Sequence, residues 1–350
     1  MAKKKTDSMD NKHFVSPMEE GKHDITCASE SRPAGYCHDD SIGIDKHDWM
    51  SKLDGNLHMS ELSLPGTHDS MSFYGGDSVQ CQSVSLRSQL DSGIRVLDIR
   101  CRHIADIFAI HHGVVFQKVY FGEVLDVVTA FLHKNPNETI YMRIKEEYNP
   151  DNTTRSFEET FKRAYWEPRP NLFWKPTNNN PTLSETRGKV VVLQNFTSEE
   201  TFGIKWDSDH FNIQDDYKLN TNWDLYNKWT YVKDFLYAAN NSDPSQRKTF
   251  INFLSGSTGS FPYFVASGQS SHGTNDPRLL TGRTTPGWKD SWPDFPRIGC
   301  FLGICSIAFE GTNILSAGRI GKGKEFDKYV GMVMSDFPGK DLINAIISLN

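Results

Sequence analysis

The chain has 350 residues and a formal net charge of −6, with 37% hydrophobic and 23% charged residues. That is enough to bury a sizeable core in one large domain or two modest ones, and the 12% aromatic content counts against a disordered chain. The acidic balance argues against a nucleic-acid partner, whose phosphates need a basic face. No run approaches the ~20 apolar residues of a membrane span. Residues 1–30 lack the apolar stretch of a signal peptide, so a soluble chain is expected, in a compartment that its composition leaves open.

Residues 1–45 read as a poorly ordered tail, with Lys3, Lys4 and Lys5, several acids and little apolar periodicity. Residues 46–350 read as a single domain. A strand is expected at 59–64, then a helix at 85–90 that stops at Gly93. Strands follow at 94–99 and 107–110. Residues 123–133 place Val124, Leu125, Val128, Phe131 and Leu132 on one helical face and stop at Asn135-Pro136. A strand at 139–144, a helix at 156–166, a strand at 189–193, a helix at 223–239 and a strand at 250–254 come next. Residues 256–325 are rich in Gly, Pro and Ser. Their segment 270–325 reads as an extended loop insertion with some added strand at 298–308. A strand at 329–334 and a helix at 340–349 close the chain. The strand runs are continuous rather than alternating, as buried parallel strands are. This order predicts an α/β fold, a distorted (β/α)8 TIM-type barrel. The alternative, a doubly wound sheet, lacks a GxGxxG turn after a strand.

The polar residues fall at strand ends of one polarity. His68 and Asp69 follow the first run, Asp98 and Arg100 close the second, and His112 and Gly113 close the third. Lys145 and Glu147 close the 139–144 run, and Asp336 closes the last. In a parallel barrel these ends open onto one face, where active sites sit. Taken singly, each has a plainer reading: a satisfied structural histidine, a structural Asp98–Arg100 ion pair, a solvated end for Lys145 and Glu147. His111 points to the opposite face from His112. Two imidazoles, a guanidinium and carboxylates suit phosphoryl transfer without a metal. One His takes a proton from a hydroxyl and the other gives one to a leaving oxygen. The guanidinium binds phosphate oxygens bidentately, and a carboxylate fixes the base His in its tautomer. The cysteines Cys27, Cys37, Cys81, Cys101, Cys300 and Cys305 contain no CxxC pair, so a zinc ribbon is not expected, and disulfides are admitted without being required.

The segments Leu64-Pro-Gly-Thr-His-Asp-Ser70, Leu97-Asp-Ile-Arg100, His111-His-Gly113 and Arg143-Ile-Lys-Glu-Glu-Tyr148 resemble the bacterial-type phosphatidylinositol-specific phospholipases C. These are distorted TIM barrels related to the X domain of eukaryotic phospholipases C. The likeness continues through Asn135-Pro-Asn-Glu-Thr139, Arg187-Gly-Lys189, Ile213-Gln-Asp-Asp-Tyr217, Ile251-Asn-Phe-Leu-Ser255 and Val330-Gly-Met-Val-Met-Ser-Asp336, so it covers about residues 55–345. The resemblance implies that His68 is the general base toward the inositol 2-hydroxyl and that Asp336 orients it. Arg100 would bind the phosphate, and His112 would be the general acid toward the diacylglycerol oxygen. Asp69 would support the leaving-group side with Arg100, and Asp98 would hold His112. Lys145, Arg187, Asp215 and Tyr217, with Gly113, would bind the inositol ring. The products would be diacylglycerol and inositol 1,2-cyclic phosphate. Calcium-dependent relatives put acidic ligands where this chain has Arg100, so no metal and no cofactor are expected.

The partner implied is phosphatidylinositol in a membrane, with glycosylphosphatidylinositol anchors as a wider range, met by a monomer that is peripheral to the bilayer. Bacterial members of the family are mostly secreted, which this N-terminus does not support. Residues 73–85 are short and polar, unlike members that carry a membrane-inserting helix with a tryptophan there. The remaining interfacial candidates are Phe261, Tyr263, Phe264, Trp288 and Trp292, whose other reading is packing under a long loop. Two other functions stay open: a metal-dependent glycerophosphodiesterase-like barrel, and a non-catalytic inositol-lipid binding module.

Overall fold

The computed structural model describes residues 34–350 except 208, 246 and 247. In chain order its strands are β1 (Leu64–Thr67), β2 (Val96–Ile104), β3 (Ile107–His112), β4 (Val115–Tyr120), β5 (Ile140–Glu146), β6 (Val190–Asn195), β7 (Ile204–Lys205) and β8 (Phe211–Gln214). They continue with β9 (Lys218–Leu219), β10 (Thr249–Phe253), β11 (Ser257–Thr258), β12 (Leu280–Thr284), β13 (Arg297–Phe301), β14 (Ile304–Ala308) and β15 (Met332–Ser335). The helices are α1 (Leu86–Asp91), α2 (Phe121–Lys134), α3 (Phe157–Thr160), which runs into a π-helical turn at Phe161–Trp166, then α4 (Leu183–Thr186), α5 (Leu225–Asn240), α6 (Pro262–Ser267), α7 (Thr312–Arg319) and α8 (Lys340–Ile347).

Eight parallel strands follow one another in the order β7-β6-β5-β2-β1-β15-β10-β8. This is the strand sequence of a (β/α)8 ring, opened where its fifth strand, β7, would meet its sixth, β8. Among the described residues no ladder joins those two. Only some crossovers carry a full helix, and among the described residues none lies between β6 and β7 or between β7 and β8. The fold is therefore a distorted TIM barrel.

Side chains alternate across each strand, and that alternation sorts the core. On β5, Ile140, Met142 and Ile144 join the cluster under the outer helices, while Tyr141 faces the barrel interior with Leu64, Val96, Leu193, Ile251, Phe253 and Met334. The interior is tight: a Cβ on Gly66 would stand 2.6 Å from Met334 Sδ and 2.9 Å from Val96 Cβ. The barrel floor is sealed by a fully buried Arg95–Glu138 pair at 2.7 Å. Arg95 also donates to the carbonyls of Lys46 and His47, and Glu138 accepts from the amides of Met50 and Ser51.

Three sequence expectations change. Residues 34–45 are not a tail: Tyr36, Cys37 and Ile42 are buried, and Tyr36 bridges Pro338. Residues 1–33 lie outside the described residues. The run at 59–64 is a 3-10 turn (Met59–Glu61) that precedes β1. The insertion at 270–325 carries more regular structure than expected. It holds the three-stranded antiparallel sheet β12–β14–β13 and the helix α7, and a Cys300–Cys305 disulfide brackets the β13–β14 turn. Cys81 and Cys101 are free and buried.

Candidate active site

The interior positions of each strand, counted upward by twos, arrive at the carboxyl ends as polar residues. Leu64 and Gly66 lead to His68, and Val96 leads to Asp98 and Arg100. Tyr141 leads to Arg143 and Lys145, Ile213 to Asp215, Phe253 to Ser255, and Met332 and Met334 to Asp336. Apolar residues thus fill the barrel, and the next inward steps face water at its mouth. Parallel register aligns the layer, with Asp98 opposite Arg143 and Arg100 opposite Lys145. The mouth is a cavity of ≈ 280 Å³ whose lining includes His68, Cys81, Arg100, His112, Arg143, Lys145, Asp215, Tyr217, Ser255 and Asp336. Ligand pockets run from ~300 to ~1,000 Å³, so this one suits a headgroup rather than a whole lipid. A larger hollow of ≈ 460 Å³ beside it, between Glu146, Asn195 and Trp206, has no histidine. The reacting groups are therefore in the smaller cavity.

His68 Nδ1 lies 2.8 Å from Asp336 Oδ1, and its Nε2 lies 2.7 Å from Arg100 Nη2. A guanidinium only donates, so Nε2 accepts, and the proton sits on Nδ1 toward the carboxylate. Burial pushes the His68 pKa down, but the Asp336 carboxylate outweighs burial and Arg100, and the net shift is upward. Arg100 Nε and Nη2 donate to Asp98 Oδ2 at 3.2 and 3.1 Å, and Nη1 stands 3.5 Å from Asp69 Oδ2. Burial opposes its charge, yet Asp98 and Asp69 more than offset it, so the guanidinium is held more firmly protonated than usual. Asp98 is fully buried. Burial raises its pKa, but Arg100 and Arg143 prevail and hold it well below the carboxylate range.

His112 arrives by a route the sequence did not suggest. It ends β3, which runs antiparallel to β2 as the returning arm of a β2–β3–β4 hairpin series, not as a barrel strand. β2 overshoots the rim to Ile104, and β3 brings the chain back, pairing Ile110 with Cys101. His112 Nδ1 then lies 3.1 Å from both Asp69 Oδ2 and Ser72 Oγ, which leaves Nε2 available to a ligand. Its carboxylate partner is thus Asp69, not Asp98, whose oxygens are taken by Arg100, Arg143 and the amide of Asp69. Asp69 has φ 41°, a left-handed conformation that Asp tolerates better than most residues. Burial raises its pKa, against Arg100 and His112.

Among the remaining expected residues, Lys145, Asp215 and Tyr217 line the cavity. Lys145 donates to Glu147 at 2.9 Å, and Tyr217 is 55% exposed at the rim. The short β9–β11 pair, with Ser257 N–H donating to Tyr217 O, ties the Tyr217 loop to the Ser255 loop. Gly113 holds Glu147 through its amide at 3.0 Å and is not among the residues that line the cavity. Arg187 is a correction. It precedes β6 at the amino end of the strands, where it donates to the carbonyls of Met50, Leu53 and Asn137 on the barrel floor. The arginine that does reach the mouth is Arg143, which donates to Asp98 Oδ1 and Asn195 Oδ1 and lies over the Trp206 ring, 4.3 Å from its centroid. Counting by twos from Tyr141 would have found it. Of the interfacial candidates, Tyr263 and Phe264 are buried, and Phe261 and Trp288 are partly exposed.

A barrel mouth with an imidazole on either side of one guanidinium, each backed by a carboxylate, carries the groups that acid–base phosphoryl transfer uses. Comparison with known proteins agrees. Residues 65–196 match the family described as "Phosphatidylinositol-specific phospholipase C, X domain". The chain is 34% identical over 262 residues to the 1-phosphatidylinositol phosphodiesterase of Staphylococcus aureus, covering 67% of this chain and 82% of the relative. It is 34% identical over 236 residues to the enzyme of the same name from Listeria monocytogenes, covering 61% and 69%. The solved structure of the Listeria phospholipase superposes with a TM-score of 0.61 at 26% identity, covering 88% of this chain and 99% of that one. A Staphylococcus structure, solved in work on modulating that enzyme's membrane binding, gives 0.61 at 26% identity over 89% and 99%. The chain belongs to the phosphatidylinositol-specific phospholipase C family.

Proposed function

We propose that this protein is a phosphatidylinositol diacylglycerol-lyase that works without a metal. His68 Nε2 removes the proton of the inositol 2-hydroxyl. The freed oxygen attacks its neighbouring phosphorus, so the two reacting groups already share one molecule. The Arg100 guanidinium takes the charge that grows on the phosphate oxygens. His112 gives its proton to the glycerol oxygen as the phosphorus–oxygen bond breaks, yielding diacylglycerol and inositol 1,2-cyclic phosphate. Asp336 steadies the proton that His68 gains, and Asp69 orients His112. Lys145, Asp215 and Tyr217 meet the ring hydroxyls and ring face.

The observation that carries this reading is the chain of contacts Asp336–His68–Arg100–Asp69–His112, which sets a base and an acid on either side of one phosphate-binding group. Against a calcium-assisted reaction stands the same Arg100, whose positive charge fills the place where calcium would need oxygens. A metal-dependent phosphodiesterase and a binding module without turnover are the competing readings. Incubation with phosphatidylinositol vesicles, followed by ³¹P NMR with and without EDTA, decides among them. Cyclic inositol phosphate is expected in both samples. Loss of product with EDTA, or binding without product, refutes the proposal.

The substrate lies in a bilayer, and the surface offers apolar groups for it. The disulfide-bracketed turn between β13 and β14 carries Phe301, Leu302 and Ile304 at 74%, 87% and 52% exposure. Trp288 stacks on Trp292, which packs near Trp223, and the Arg283 guanidinium lies over the Trp288 ring. Aromatic and cationic side chains of this kind favour a membrane–water interface. Among the described residues no helix is long and apolar enough to cross a membrane, so contact would be peripheral.

A further inference from the structure

The mouth is also lined by a thiol that has no part in the proposed reaction. Cys81, on the loop between β1 and α1, is a free thiol and fully buried. Its backbone is pinned on both sides: its N–H donates to Ser72 O at 3.0 Å, and its carbonyl accepts from Phe337 N–H at 3.0 Å. The thiol donates to Val79 O at 3.4 Å, and the sulfur lies between the two catalytic imidazoles. It lies 3.9 Å from His112 Nδ1, which is itself 3.1 Å from Asp69 Oδ2. The donor atoms of Asp69, Cys81 and His112 all fall within 4.8 Å of one another, and the same sulfur forms a second such group with His68 and Asp336.

These separations come near those of a metal site. Zinc bonds of ~2.0–2.1 Å to nitrogen or oxygen and ~2.3 Å to sulfur imply edges of roughly 3.3–3.6 Å in a tetrahedral site with one sulfur; the edges of 3.1 and 3.9 Å fall on either side of that range, so small side-chain shifts are needed to close the site. Asp69 Oδ1 and Asp336 Oδ2 are buried oxygens that accept no hydrogen bond among the described residues. Each carboxylate faces a guanidinium or an imidazole and keeps lone pairs free for a cation. Arg100 repels a cation here, and the carboxylates of Asp69 and Asp336 on either side of the sulfur counter that repulsion.

We propose that Cys81, His112 and Asp69 form a binding site for a soft divalent cation of the zinc class, and that occupancy switches the enzyme off. Three protein donors leave the fourth position open toward the cavity. On binding, the thiol proton leaves to solvent, sulfur and Nδ1 donate lone pairs to the cation, and nothing is oxidised. An imidazole that has given Nδ1 to a metal cannot become an imidazolium, so the leaving oxygen has no acid. Calcium and magnesium prefer shells of oxygens and find too few here.

The inhibition rests on the lyase reading, but the binding does not, and the test separates them. The full chain, stripped of metal, is titrated with Co²⁺ as a spectroscopic probe. A thiolate-to-cobalt charge-transfer band in the near ultraviolet is expected, removed by Zn²⁺ and absent in Cys81→Ser, while Cys101→Ser, at the other described free thiol, keeps it. In parallel, Zn²⁺ inhibition of cyclic phosphate formation is measured, with each variant normalised to its own metal-free rate. Cys81→Ser is expected to need at least ~10–100-fold more Zn²⁺, the cost of losing even an outer partner of a metal ligand. Ca²⁺ and Mg²⁺ are expected to do nothing. If Cys81→Ser does not fold, the wild-type cobalt spectrum decides alone. A wild type without the sulfur band, or a Cys81→Ser variant inhibited as readily as wild type, overturns the proposal. A band in a protein that makes no cyclic phosphate supports the site and rejects the lyase reading instead.

Discussion

Replacing Asp336 by Asn removes a charge while keeping an oxygen that can accept the His68 Nδ1 hydrogen. The two side chains are 1% and 16% exposed and 2.8 Å apart, so solvent screens them little. Opposite unit charges about 4 Å apart attract by about 4 kcal/mol at an effective dielectric near 20. The attraction exists only once His68 has taken its proton, which happens in the transition state. At about 1.36 kcal/mol per decade, the expected fall in kcat/KM is about 10³-fold. The pH dependence supplies a second sign. Burial lowers the His68 pKa and Asp336 leads the groups that raise it, so the variant's pKa falls. A base acts when neutral, so the acid limb of the kcat/KM profile moves to lower pH even as the rate drops. Stability follows the same linkage. A histidine whose folded pKa is raised stabilises the fold below its unfolded value near ~6.5, and that contribution is lost as pH rises through the folded value. The stability deficit of Asp336→Asn is therefore larger on the acid side. The assay is fluorophore release from a soluble inositol phosphodiester between pH ~5 and ~8, where imidazoles titrate, with thermal melts alongside. A loss under tenfold, or an unmoved acid limb, would show that His68 and Asp336 are not a base and its anchor.

His112→Ala is expected to lose about 10²–10⁴-fold on phosphatidylinositol, the range for a general acid, but far less on an aryl or thio ester whose leaving group needs no proton; equal losses on both would refute the acid role. Arg100→Lys keeps the charge and loses the fork shared by Asp98, Asp69 and His68, so kcat/KM should fall about 10²–10³-fold, as when one oxyanion donor is removed; a variant with normal turnover would place phosphate binding elsewhere. Arg187→Ala should leave the Michaelis constant unchanged while destabilising the fold by about 0.5–1.5 kcal/mol, the net worth of an ordinary hydrogen bond, because partly buried carbonyls lose their donor; a raised Michaelis constant with unchanged melting would return Arg187 to the substrate. Paired Phe301→Ser and Leu302→Ser changes should weaken sedimentation with phosphatidylinositol vesicles and spare cleavage of the soluble analogue; unchanged sedimentation would move the membrane contact to another part of the surface.

The barrel was legible because its strands are buried on both faces and read as continuous apolar runs. Strand ends then located His68, Arg100, Lys145 and Asp336, since a strand's last inward position is where polar side chains first meet solvent. What the sequence hid depends on contacts between segments. The run 107–110 looks like another barrel strand, and nothing local says that it pairs antiparallel to β2. β7 has only two residues, too short for a period to appear. Arg187 and Arg143 illustrate the same limit. Each adjoins or occupies a strand, but Arg187 precedes β6 and Arg143 lies within the upper half of β5, so only strand bounds reveal which end of the barrel each one serves. Residues 34–45 have little periodicity, yet they pack through scattered anchors such as Tyr36 and Ile42.

Asp69 shows how one backbone angle joins the two halves of the site. It adjoins His68 in the chain, and an extended backbone would point its side chain out of the barrel, opposite to His68. The left-handed turn at Asp69 prevents that. Its carboxylate swings beneath Arg100 and reaches His112 on the returning hairpin, while its amide binds the same Asp98 oxygen that Arg100 uses. The base, supplied by β1, and the acid, supplied by β3, are therefore positioned against one guanidinium by adjacent residues of one turn. A side chain that forced Asp69 into extended conformation would uncouple acid from phosphate without touching either histidine.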